Sequence, residues 1–416
     1  MAADGAHGPA HGPAHASGSG YDFDRVIDRH GTWCTQWDHV EDRFGVPDLL
    51  PFTISDMDFE TAPEVLTALR ARLGHGVLGY SRWRQPDFLG AVTDWYARRY
   101  DTAVDPETVV YGPSVVYQIS QLLRLWSRPG DGVVVHTPVY DAFPKVLAAH
   151  GRELRGAPVG DFAELERLLA LPDSTVLLLC SPHNPTGRVW TRDELAHLAE
   201  LCARHGVAVI SDEIHADLAH PPHVHRPWAR HGTGRWAVLT SASKSFNIPA
   251  LTGSYGIIAD EGSREAYLRA LKEADGLSSP AVLSLVAHIA AYREGGPWLD
   301  ALRSYVHGNL RMVADRLAAA FPGLGWEPPQ AGYLAWIDLR PLGGGTDGYD
   351  EALQRQLIDR EKVAIMPGTA YGAPGFVRLN VGCPRSKAEA GTDALVRAVR
   401  RLASPPAAGD GPGPER

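Results

Sequence analysis

Cysteine is scarce in this chain: Cys34, Cys180, Cys202 and Cys383 are four in 416 residues, and no two stand close together. That spacing excludes a disulfide-stapled scaffold and a paired-thiolate zinc site, and it points to a reducing compartment, expected to be the cytoplasm. No apolar run reaches the ~18 residues that a membrane span needs. Positive charge is neither in excess nor clustered. With 40 basic against 49 acidic residues and a net charge of −9, the basic footprint of a nucleic-acid binder is missing. The opening stretch "MAADGAHGPAHGPAHASGSG" lacks a basic n-region and an apolar h-region, so no secretory signal is expected. What is present is an ordinary globular composition, 44% hydrophobic and 21% charged, with room for one large and one smaller domain.

The two ends read as non-globular. The "HGPA" repetition, with His7, His11 and His15, predicts a disordered arm over 1–20 rather than a metal site, and "SPPAAGDGPGPER" predicts a disordered tail over 404–416. Between them, "GVVVHTP", "STVLLLC", "VAVIS" and "AVLT" are continuous apolar runs separated by amphipathic stretches such as "TRDELAHLAELCARHG", with Thr191 as N-cap and Gly206 after its end. Buried strands alternating with helices predict a three-layer α/β fold around a mostly parallel sheet. The expected division is 21–60 as the N-terminal part of a small α+β domain, 61–295 as the large domain, and 296–403 as the rest of the small domain.

In such sheets ligands bind beyond the carboxyl ends of the strands, and there the polar residues collect: "SPHNPTG", "SDEIH" and "SASKSFN". Lys244 stands alone among small hydroxyl residues behind an apolar strand, as an amine kept neutral and nucleophilic in a dry pocket would. Asp212 ends its strand and needs a cationic partner, such as a protonated ring nitrogen. Asn184 can donate its amide to a phenolate oxygen, and Tyr140 can stack on a flat ring. Gly112, Pro113 and Ser114 stand just before an apolar helix whose first N–H groups suit a phosphate, with Ser241 and Ser243 as further donors. Arg378, inside the apolar run "GFVRLNVG", has the fork that matches a carboxylate. The histidines after "DEIH" (His215, His220, His223, His225, His231) lie in a proline-rich loop without metal-ligand spacing, so no metal is expected.

Taken in order, "DMDF", "GVLGYSRW", "PVYDAF", "NPTG", "SDEIHADL", "SKSFN", "YLAWID" and "GFVRLNVGCPR" resemble the fold-type I pyridoxal-phosphate enzymes, and among them the cystathionine β-lyase and cysteine-S-conjugate β-lyase group. The resemblance spans about 21–402. It implies pyridoxal 5′-phosphate as cofactor, with Lys244 as the residue linked to it, Asp212 at the pyridine nitrogen, Asn184 at O3′, and His215 where aminotransferases often carry tyrosine. It further implies Tyr140 as the stacking aromatic, Ser114, Val115, Val116, Ser241 and Ser243 around the phosphate, and Arg378 on the substrate carboxylate. Tyr80 resembles a residue that reaches the partner subunit's cofactor, which implies a homodimer with shared sites. The chain departs from the group at Ser55, Ser114, Pro249, Ala250 and Gly332. The expected activity is carbon–sulfur β-elimination from an amino-acid substrate; transamination and decarboxylating or oxidative deamination of an S-conjugate use the same residues.

Overall fold

The computed structural model describes residues 20–403. The expected arm, apart from Gly20, and the expected tail lie outside the described residues, as do His7, His11 and His15. Eleven strands form two sheets among the described residues. The larger contains β2 (Val109–Gly112), β3 (Gly132–Thr137), β4 (Glu153–Pro158), β5 (Ser174–Cys180), β6 (Ala208–Asp212), β7 (Trp236–Thr240) and β8 (Ser254–Ile258). Its order is β2-β8-β7-β6-β5-β3-β4, and only β8 runs antiparallel to its neighbours. The mostly parallel sheet expected from the apolar runs is therefore present.

Alternation along each strand explains why those runs are uninterrupted. Val133 and Val135 face a cluster with Ile119, Leu122 and Trp126, whereas Val134 joins a cluster with Phe88, Trp95 and Trp298 on the other side. Successive side chains point to opposite faces, and here both faces are covered by helices. The connections are capped as the sequence predicts. The helix Arg192–His205 opens on a reciprocal Thr191–Glu194 capping box and closes on Gly206 in the left-handed region at φ 67°.

The second sheet takes strands from both chain ends. β1 (Leu50–Phe52) pairs in parallel with β10 (Val363–Pro367), which pairs with β11 (Phe376–Asn380), and β11 with β9 (Leu334–Asp338). Leu310, Val313 and Leu317 of the 25-residue helix Gly296–Ala320 cover it together with Leu395 and Val399 of the last helix. Neighbouring parts of the 21–60 segment pack elsewhere: Phe23, Met57 and Phe59 join the core of the large sheet.

Phe52 is fully buried against the last helix, Arg385–Ala403. A Cβ built on Gly391 of that helix falls 2.4 Å from the Phe52 ring. Gly391→Ala should therefore cost about 1–3 kcal/mol through overpacking, read as a lower urea midpoint. Phe52→Leu in the same chain should recover part of the loss.

Candidate active site

The carboxyl ends of β3, β5, β6 and β7 lie along one edge of the parallel sheet, and each runs straight into a polar segment. Ser55, Val115, Val116, Tyr140, Cys180, Asn184, Asp212, Ile214, His215 and Lys244 line one small chamber there. Lys244, Ser55 and Tyr140 also line an outer cavity of about 670 Å³, to which Arg378, Asp56 and Tyr371 belong.

Lys244 sits in the one-turn helix Ala242–Ser245 directly after β7. Its Nζ donates to the Ser55 carbonyl at 2.6 Å, and Tyr333 donates to the same oxygen at 3.0 Å. Burial pulls the ammonium down from 10.5 to about 8; Arg378 pushes the same way, whereas Asp56 and Asp212 oppose it. Asp212 ends β6, accepts the Ile214 N–H at 3.1 Å and is 4% exposed. Burial lifts its carboxyl from 3.8 to about 7, with Glu213 adding to the rise. His215, buried beside it, is driven down to about 3 and stays neutral.

Arg378 on β11 is 3% exposed. Its Nη2 donates to the Thr53 carbonyl at 2.8 Å and its Nη1 to Asn184 Oδ1 at 3.2 Å, while Nε has no partner. The guanidinium lies 4.6 Å over the Tyr371 ring. Among the described residues it forms no ion pair, and neither does Asp212. A buried guanidinium and a buried carboxylate thus share a site without a counter-ion for either, which is costly for a fold and useful for a ligand carrying both charges.

Ser114 is the N-cap of the helix Val115–Trp126, its Oγ accepting the Tyr117 N–H at 3.1 Å. The N–H groups of Val115 and Val116 in the first turn are left for an anion. Ser241 is otherwise engaged: its hydroxyl donates to the Gly253 carbonyl at 2.7 Å and accepts the Ser243 N–H at 3.1 Å. Ser243 is half-buried, and among the described residues its own hydroxyl makes no hydrogen bond. Tyr80 is 100% exposed and lines neither cavity. The loop histidines have structural partners: His225 meets Glu213 at 2.9 Å and His220 the Gly332 carbonyl at 2.7 Å. Gly332 itself sits at φ 84°, in the left-handed region that a β-branched side chain would strain.

Sequence reasoning passed over several residues that build the site. Asn247 adopts φ 53° and clamps the 57–59 backbone, taking the Met57 N–H and donating to the Met57 and Phe59 carbonyls at 2.8 and 2.7 Å. Asn380 holds the Ile54 and Asp56 carbonyls at 2.6 and 2.7 Å. Together they fix the irregular segment after β1 whose Ser55 carbonyl meets Lys244. The only signal in the sequence was that both asparagines stand in otherwise apolar or motif-bearing segments.

The family description of class I and II aminotransferases matches residues 47–395. The chain is similar to protein MalY of Escherichia coli, 58% identical over 92% of this chain and 100% of that protein. It is also similar to the cystathionine β-lyase PatB of Bacillus subtilis, 39% identical over 87% of this chain and 95% of the relative. Among solved structures, the PLP-bound C–S lyase of Staphylococcus hominis superposes with a TM-score of 0.85 at 28% identity, covering 91% of this chain and 98% of that one.

Lys244 is protonated up to about pH 8 when folded and up to 10.5 when unfolded. Between those values the unfolded chain binds the extra proton, so stability rises with pH there, and below pH 8 the buried ammonium is a full penalty. Lys244→Met should therefore stabilise the cofactor-free protein by on the order of 3 kcal/mol at pH 7. Urea titrations should show that gain shrinking as the pH approaches 10.5.

Proposed function

Because the chain belongs to the class I and II aminotransferase family, we propose that it is a pyridoxal-phosphate-dependent lyase. Its reaction would break the Cβ–S bond of cystathionine or another cysteine S-conjugate, releasing thiol, pyruvate and ammonia. The observation that carries the reading is a half-buried Lys244 beside a buried Asp212 and a buried Arg378 around one site, with no counter-ion for the last two among the described residues. The similarity to a cystathionine β-lyase and to a C–S lyase favours elimination over amino-group transfer.

The residues fit the cofactor. Asp212 would face the ring nitrogen, and a pyridinium there would draw its carboxyl back down from about 7. Asn184 and Tyr140 line the same chamber and would contact O3′ and the ring face, and the Val115 and Val116 N–H groups with Ser114 and Ser243 would receive the phosphate. When bound, pyridoxal phosphate supplies an aldehyde for the amine and a ring that accepts the electron pair left at Cα.

The protein's own work is binding, orientation and proton movement. Arg378, with Nε still unpaired, takes the substrate carboxylate as a fork and sets the direction of the Cα–H bond. Lys244, near 8, is substantially neutral at mildly alkaline pH, and its Nζ removes the Cα proton. The same Nζ then holds that proton and can hand it to the departing sulfur. Tyr333 keeps the Ser55 carbonyl oriented, so the lysine returns to a fixed acceptor. His215, neutral at all physiological pH, adds no competing charge to Asp212.

Tyr80, exposed in a single subunit, belongs in this reading to the partner's phosphate site in a homodimer, and the cytoplasm supplies the substrate.

Lys244→Ala should abolish both the visible absorption of the bound cofactor and release of thiol from cystathionine. Arg378→Lys should retain the absorption and lose about 10²-fold or more in kcat/KM, since a point charge does not replace the fork. Pyruvate and thiol should form in equal amounts without an added keto acid; product formation that depends on keto acid would replace elimination by transamination.

A further inference from the structure

One residue near the site is costly and has no structural return. Trp33 lies at φ 61°, in the left-handed region that bulky side chains rarely occupy, and its side chain is 89% exposed. Strain of this kind persists when the surroundings enforce it and concentrates at ligand sites. The surroundings here do enforce it. Asp38 accepts the N–H groups of Gly31 at 2.8 Å and Cys34 at 3.0 Å, and Thr32 donates to the Arg29 carbonyl at 2.6 Å. Cys34 is buried and Trp37 is tied to Asp58 at 2.9 Å, so the residues around Trp33 are fixed and its indole alone is turned outward.

That indole lines the same 670 Å³ cavity as Lys244 and Arg378. The cavity has the size of a site for ligands well beyond a small amino acid. With the α-carboxylate on Arg378, the remaining space belongs to whatever is attached to sulfur. Apart from Lys244 and Arg378, the charges in its wall are engaged in ion pairs, with one exception. Arg29 pairs with Asp56 and Asp58 at 2.8 Å each, Asp141 with Lys145 at 3.2 Å, and Glu60 with Arg25. Arg43, whose partner is the Met366 sulfur at 3.3 Å, is the exception. The apolar part includes Trp33, Ile27, Ile54, Ile248, Pro249 and Tyr371.

We propose that Trp33 is the stacking surface for the thiol half of the substrate, and that the site selects cysteine conjugates whose sulfur carries a flat aromatic group. The proposal rests on the reading of this cavity as an amino-acid site, and its test is kept independent of the cleavage step by using ligands without a sulfur leaving group. Calorimetry on the holoenzyme compares 2-amino-5-phenylpentanoate, 2-aminopentanoate and 2-aminoadipate. The wild type should bind the phenyl ligand about 10-fold tighter than 2-aminopentanoate. Trp33→Gly, which suits the local backbone and should fold at least as well, should bring that ratio to within about threefold, and Trp33→Phe should retain most of it. A ratio that survives Trp33→Gly, equal losses for both ligands, or a wild-type preference for 2-aminoadipate, which would assign the pocket to Arg43, each overturns the proposal. Failure to release thiol from any conjugate would instead refute the lyase reading and leave this result standing.

Discussion

The architecture depends on keeping Lys244 and Asp212 in one dry chamber without letting them neutralise each other. Were they in direct contact, the lysine would be held protonated and the aspartate ionised, as in any buried ion pair. Instead Nζ is directed to the Ser55 carbonyl and the carboxylate to the Ile214 N–H, and burial moves both groups towards neutrality, to about 8 and about 7. A backbone carbonyl is the right partner for this purpose: it orients the amine without adding the opposite charge that would raise its pKa. The site is thus a store of unfavourable desolvation, offset by the cores on either face of the seven-stranded sheet.

Holding that carbonyl in place requires the second sheet. Asn380 on β11 and Asn247 after the lysine turn, far apart in sequence, grip the two ends of the 54–59 backbone. Charge reinforces the grip. Asp58 is buried between Arg29 and Lys387, with contacts at 2.8 and 2.5 Å, and these cations hold its carboxyl below the usual range despite burial. Losing one partner of such a group would leave a buried charge uncompensated, which is far more damaging than losing a surface pair. Residues 29, 58 and 387 are remote in sequence, so the approach to Lys244 forms only once both chain ends have docked.

The strand ends were legible because parallel sheets leave a plain record: apolar runs, then a polar residue where the chain leaves the core. Lys244, Asp212 and Asn184 stand at such exits, and the capping box at Thr191 was equally local. Ser241 was ambiguous for the same reason. A serine before a helical turn reads alike whether it meets a phosphate or caps the turn, and only the position of the Gly253 carbonyl shows where its proton goes. Trp33, Asn247 and Asn380 left no periodic signal, because their roles depend on a backbone sign or on partners up to 326 residues away. The homodimer rests on the resemblance, and the domain limits on the pattern of strands and helices along the chain.

The chamber and the outer cavity are built from different material, and this separates chemistry from selectivity. Half of the ten chamber residues sit at strand ends or in a helix's first turn, positions that the packed sheet holds rigidly and that tolerate little change. The outer wall comes from the 27–35 turn, the 54–60 segment and the loop carrying Pro249 and Ala250. Loops tolerate substitution and set which ligand is admitted. The chain's departures at Pro249 and Ala250 fall in that outer wall, and Gly332 is accommodated by a left-handed turn outside both cavities. Ser55 is the exception, lining both spaces, yet its contact with Lys244 is through the backbone and so survives a change of side chain. A new thiol portion can therefore be recruited by redrawing the turn around Trp33 without disturbing the desolvated pair that makes the reaction available.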